Sequence, residues 1–163
     1  MKIIFLDIDG VLNCASTRNP RGFPYVVDKR LLARLKKLIA ATKARVVLSS
    51  SWRTDPIGLY AAKYWGVPFI DVCPDMPGKS RHHEIEAWLS KHPRVKRFAV
   101  IDDEDDGLDN LPLFQPSSVT GLTTDIVRGV RRYLEGKSDQ HIRRNALVRM
   151  VENLQSVFER DKD

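Results

Sequence analysis

Two aspartates stand two residues apart in the stretch FLDIDGVLN, Phe5 to Asn13, directly after an apolar run and directly before a glycine. Side chains at i and i+2 of an extended segment point the same way. Asp7 can then attack phosphorus as a carboxylate nucleophile and carry an aspartyl-phosphate. Asp9 can protonate the leaving oxygen and afterwards activate a water. Gly10 allows the sharp turn that follows. Three more sets of residues suit the same chemistry. Ser49, Ser50 and Ser51 follow the apolar run RVVL, Lys79 precedes a helical stretch, and Asp102 and Asp103 follow RFAVI, with Glu104, Asp105 and Asp106 behind them. Clustered carboxylates repel one another unless a cation joins them, and oxygen-only ligands favour Mg²⁺. Hydroxyls and a lysine beside that cation suit a phosphoryl group.

These residues meet only if the elements before them lie side by side. Lys2 to Leu6 reads as a short buried strand. Leu31, Leu32, Leu35, Leu38 and Ile39 recur at helical spacing, which predicts a helix to Thr42 capped by Asp28. RVVLS is a second strand, Asp55 to Trp65 a helix ending at Gly66, VPFIDV a third strand, Ser80 to Ser90 a helix, and RFAVID a fourth strand. A weak fifth strand is expected near Ser118, then a helix over LTTDIVRGVRRYL capped by Thr123. Strands alternating with helices predict an α/β fold: a three-layer, Rossmann-like parallel sheet with helices on both faces. Ligands of such sheets bind beyond the carboxyl ends of the strands, where all four sets fall.

The order FLDIDGVLN, VVLSSSWR, Lys79 in PGKSRHHEI, and VIDDEDD resembles the four motifs of the haloacid dehalogenase superfamily of phosphohydrolases, over roughly Met1 to Leu134. SSSWR, IDDEDD and GLT together resemble a small capless bacterial group whose relatives occur as phosphatase domains in multidomain RNA-repair proteins. The resemblance implies Asp7 as nucleophile, Asp9 as general acid/base, Ser49 or Ser50 as the phosphate-binding hydroxyl and Lys79 as the charge stabiliser and phosphate ligand. It implies Mg²⁺ held by Asp7, the Asp9 backbone carbonyl and Asp103 together with Asp102, while the choice among Asp102, Asp103 and Asp106 for the outer ligand stays open. Arg81 competes with Lys79 for its role. The gaps Asn13–Arg45 and Arg53–Gly78 are largely used by core elements, so no cap domain is expected and the site is open to bulky substrates.

Two other motifs lack a required residue. GKS at Gly78–Ser80 has Cys73 where a phosphate-binding P-loop needs glycine. DMP at Asp75–Pro77 has the same cysteine where a receiver domain needs its acceptor aspartate. His82 and His83 are adjacent on a helix and diverge, which suits a solvated face. Trp52 and Arg53 leave two readings open. In one they pack inward, with Arg53 on a carboxylate; in the other they form a substrate platform of stacking ring and phosphate-pairing guanidinium.

The whole chain bounds the function further. Its 163 residues suit one sizeable core, and 42% hydrophobic with 29% charged residues is a globular balance. No apolar run approaches the ~20 residues needed to cross a bilayer, and Asp7 and Asp9 interrupt the first apolar run, so it reads as a strand and not a signal peptide. Cys14 and Cys73 lie in no metal-ligand spacing and read as free thiols in a reducing cytoplasm. The net charge is +6, with nine basic residues against one acid, Asp28, between Arg18 and Arg45. Such a stretch is either a solvated helix face or a surface for phosphates. The expected domains are residues 1–136, the phosphohydrolase core, and 137–163, a C-terminal helix. That helix carries Ile142, Leu147, Met150, Val151, Leu154, Val157 and Phe158 in a stripe that packs on the core or on a second copy in a homodimer. The expected substrate is a terminal phosphate on a nucleic acid or nucleotide. The alternatives are a small-metabolite phosphatase and a phosphate-dependent binding or signalling module without turnover.

Overall fold

The computed structural model describes residues 1–137. The expected C-terminal helix and its dimer surface lie outside them. Five parallel strands form one sheet in the order β3-β2-β1-β4-β5. They are β1 (Lys2–Leu6), β2 (Arg45–Leu48), β3 (Phe69–Val72), β4 (Arg97–Ile101) and β5 (Leu113–Phe114). β1 is central, and Ile3 to Leu6 are wholly buried, as a strand covered on both faces must be.

Alternate residues of the strands divide the core. Ile4, Leu6, Val46, Leu48, Ala99 and Ile101 pack against α1 (Lys29–Thr42), α2 (Pro56–Tyr64) and α4 (Thr124–Leu134). Ile3, Phe5, Val47 and Val100 face α3 (Arg81–Ser90) through Ile85 and Trp88. The result is three layers, Rossmann-like and α/β. Among the described residues no domain is inserted after β1 or after β2.

The helices start where capping chemistry sets them. Asp28 accepts from the Arg30 amide at the head of α1, Asp55 from Ile57 at α2, and Thr123 from Ile126 at α4. The fifth strand differs from expectation. It lies at Leu113–Phe114, between Pro112 and Pro116, and not near Ser118, whose carbonyl accepts instead from Ala15. Both Leu113 and Phe114 are buried, so burial and not β-branching places this edge strand. A short 3-10 turn, Ser51–Thr54, was also not anticipated; it separates β2 from α2 and decides where Trp52 points.

Candidate active site

Strand register brings the site together. Leu6 pairs with Leu48 on one side and with Ile101 on the other. The next residues, Asp7, Ser49 and Asp102, therefore stand level at the carboxyl edge. The ladder continues there: the Asp7 amide donates to the Ile101 carbonyl (2.9 Å) and the Ser49 amide to Leu6 (2.9 Å). Alternation points all three side chains to the face covered by α3. The first residue of α3 is Arg81, and its guanidinium enters the cluster. Nη1 lies 3.0 Å from Asp7 Oδ1 and 2.6 Å from Asp102 Oδ2, and Nε lies 3.7 Å from Asp106. Oxygens of Asp7, Asp102 and Asp103 fall within 4.8 Å of one another.

Burial raises the proton affinity of this cluster. Desolvation lifts the Asp7 carboxyl above its ordinary range, opposed by Arg81 and by a hydrogen bond from Ser50. Asp102 is pushed up to about 7 by burial and by the neighbouring Asp7, again against Arg81. Asp103 is raised by burial, with Glu104 and Asp9 adding repulsion. One guanidinium does not offset three carboxylates. Gly10 belongs to the same arrangement. Its φ is +65°, and a Cβ there would lie 2.0 Å from Asp103 Oδ2, so only glycine lets the turn pass this carboxylate.

Asp9 is exposed and held from two sides. Asn13 Nδ2 donates to Oδ1 (2.7 Å) and Trp52 Nε1 donates to Oδ2 (2.8 Å). Asn13 also accepts from the Gly10 amide and donates to the Val26 carbonyl, which fixes the turn. Ser50 caps the 3-10 turn and reaches Asp7, while Ser49 is wholly buried with an Oγ that has no partner among the described residues.

The substrate-platform reading of Trp52 and Arg53 is corrected. Trp52 is 2% exposed, its ring sits edge-on to Tyr25, and its N–H is spent on Asp9, so no face is open to a base. Arg53 pairs with Glu84 of α3 and donates to the carbonyls of Ser50 (2.9 Å) and Cys73 (3.2 Å) and to that of Ser49. Buried and consumed, it ties the ends of β2 and β3 to α3. Sequence reasoning missed Glu84, Asn13 and Tyr25 in these roles. Asn13 is the one with a signal, lying four residues after Asp9 within the first motif.

Lys79 stands exposed on the turn before α3, and among the described residues no contact joins it to Asp7. Arg81 occupies that place. Asp7, Asp9, Ser49, Ser50, Asp102 and Asp103 do meet at one edge. Cys14 and Cys73 are both free, and among the described residues no helix is long and apolar enough to cross a membrane.

A Rossmann-like sheet with a buried aspartate at the end of its central strand and paired acids at the end of the next is the arrangement of a phosphohydrolase-type domain. The family described as the HAD domain in Swiss Army Knife RNA repair proteins matches residues 3–127, and the chain belongs to it. Membership implies a phosphatase-type function. No curated protein and no solved structure matches the chain.

Proposed function

We propose that this protein is a Mg²⁺-dependent phosphatase that works through phospho-Asp7 and removes a terminal phosphate from a nucleic acid. The observation that carries the reading is the convergence of Asp7, Asp102 and Asp103 within 4.8 Å, with Asp9 presented on the same turn. The donor set suits a hard cation. It is all oxygen, it is under-compensated by Arg81, and Gly10 makes room for the Asp103 carboxylate within it. Asp7, Asp102 and Asp103, with the Asp9 carbonyl, would hold the ion. Bound there, the ion supplies positive charge that offsets the carboxylates and the phosphoryl oxygens.

The chain's own residues supply the rest. Asp7 Oδ attacks phosphorus, the bond from phosphorus to the ester oxygen breaks, and that oxygen takes the proton held by Asp9. Trp52 and Asn13 hold the Asp9 carboxyl toward the leaving group. Asp9, now ionised, takes a proton from water as the water oxygen attacks the phosphorus of phospho-Asp7. Inorganic phosphate leaves and Asp7 is restored. Arg81, at the place first assigned to Lys79, bears the charge that collects on the phosphoryl oxygens. Ser50, beside Asp7, and Ser49, with its free hydroxyl, provide donors to the same oxygens.

The nucleic-acid substrate rests on the family's association with RNA repair, on the absence of an inserted cap among the described residues, and on the basic stretch from Arg18 to Arg45. The test is phosphate release from an aryl phosphate and from 3′- and 5′-phosphorylated oligonucleotides, mononucleotides and sugar phosphates. Turnover should need Mg²⁺, stop in EDTA and favour oligonucleotides. Full activity in EDTA contradicts the metal-dependent mechanism; a protein that binds phosphate esters without releasing phosphate is a binding module.

A further inference from the structure

A second recess adjoins the site. The segment between β1 and α1, the first residues of α1 and Trp65 after α2 line an open cavity of about 440 Å³. That volume lies in the range that holds small ligands. Its wall mixes an indole, aliphatic Val26 and Val27, the hydroxyl of Thr17 and the cations Arg18, Lys29 and Arg30. Asp28 also lines it, but its carboxylate is engaged by Arg30 through Nε (3.2 Å) and Nη2 (2.8 Å). Arg18 and Lys29 have no ion pair among the described residues, so the recess carries excess positive charge.

The recess is coupled to the reacting groups by two paths, one of hydrogen bonds alone and one that passes through a ring contact. The Val26 carbonyl on its wall accepts from Asn13 Nδ2 (3.0 Å), and the same nitrogen donates to Asp9 (2.7 Å). Trp65 Nε1 donates to the Tyr25 carbonyl (3.2 Å), and the Tyr25 ring packs on Trp52, which holds Asp9 from the other side. Trp65 is half-buried and fixed by that bond, and Tyr64, largely exposed, extends it edge-on at 5.7 Å. A held indole beside unpaired cations matches the two features single-stranded nucleic acid needs, a surface for a base and charge for its phosphate. An inorganic anion would have no use for the indole, and an apolar ligand none for the cations.

We infer that this cavity is a nucleotide subsite. It takes the base of a nucleotide near the reacting end against Trp65, and the adjoining backbone phosphate between Arg18 and Lys29. The inference deepens the proposed function and rests on its nucleic-acid substrate, but its binding step can be read apart from turnover.

The test uses short unphosphorylated single-stranded oligonucleotides, with binding followed by tryptophan fluorescence and by anisotropy of a labelled strand. Wild type should bind with quenching. The double variant Arg18→Ala/Lys29→Ala should bind about tenfold or more weakly, as loss of two phosphate contacts implies. Trp65→Phe should bind nearly as wild type with much of the quenching lost, and Trp65→Leu should bind more weakly than Trp65→Phe. On a phosphorylated oligonucleotide, the double variant should lose kcat/KM through KM, with aryl-phosphate turnover unchanged. Equal oligonucleotide affinity in wild type and the double variant overturns the subsite, even if the enzyme prefers oligonucleotides. If oligonucleotide binding falls in the double variant but wild type releases no phosphate from any oligonucleotide, the subsite stands and the proposed substrate fails.

Discussion

In the proposed reaction Asp9 is a carboxylate with little freedom. It is exposed enough to meet a leaving group, yet both oxygens are held, one by Asn13 and one by the buried Trp52. Trp52→Phe keeps the packing and removes the N–H. A hydrogen bond to a charged group is worth about 1.5–3 kcal/mol, so kcat should fall by roughly 10- to 100-fold, with little change in melting temperature. A fall in kcat matched by a large loss of stability would mean that Trp52 only fills space. Asp102 gives a pH prediction. Its carboxyl is pushed up to about 7 from an ordinary 3.8, so between those values the folded protein holds a proton the unfolded chain has lost. The stabilising effect of that proton is complete below pH 3.8 and is lost as pH rises through 7. At about 1.4 kcal/mol per pKa unit, the effect in metal-free protein is on the order of 4 kcal/mol. The wild-type melting temperature, compared with that of Asp102→Asn, should therefore drop between pH 4.5 and 7.5 without metal, and Mg²⁺ should remove most of that drop. An unchanged difference across that range would contradict the burial argument.

At the scale of elements, α3 does most of the positioning. Its first residue carries Arg81 into the carboxylates, and Glu84, one turn on, holds Arg53 under the serine loop. Removing one partner of a buried pair leaves the other charge uncompensated. Glu84→Gln should thus cost about 3 kcal/mol in urea unfolding and loosen Ser49 and Ser50, while a loss near zero would mean that Arg53 is solvated. Arg81→Ala should lower kcat by about 10²–10³, and Lys79→Ala should change it far less; the reverse order would restore the lysine to the role. The sheet, its order of elements and the helix caps were legible because each rests on local signals. Asp28 and Thr123 sit where capping chemistry demands, and runs such as KIIFL are apolar on both faces. The acids and serines were legible because strand ends in a parallel sheet share an edge. Side-chain direction was not. The 3-10 turn that folds Trp52 inward has no apolar period, and an aromatic beside phosphate serines fits a platform as well as a core. Lys79 and Arg81 could be separated only by where α3 begins, which sequence patterns leave open by a residue or two.

At the scale of the molecule, charge and openness set what reaches the site. The basic residues between Arg18 and Arg45 lie partly on α1, whose N-terminus stands at the carboxyl edge of the sheet beside the β1–α1 segment. If that field guides a polymer end, kcat/KM for phosphorylated oligonucleotides should fall steeply between 50 and 200 mM salt, because counterions bound to the strand are released on binding. Aryl phosphate turnover should change little over the same range. A flat profile for oligonucleotides, joined to a preference for sugar phosphates, would move the substrate to small metabolites and leave the phosphatase chemistry untouched.

In the proposed mechanism turnover passes through a phosphoryl group on Asp7. The direct measurement is rapid acid quench during turnover of an oligonucleotide phosphate with Mg²⁺, followed by peptide mass analysis. One phosphoryl group is expected on the peptide holding FLDIDG, located on Asp7, present in wild type and missing in Asp7→Asn, which should also lose turnover while keeping its fold. Turnover with no phosphoryl label on that peptide, or undiminished phosphate release by Asp7→Asn, would contradict it.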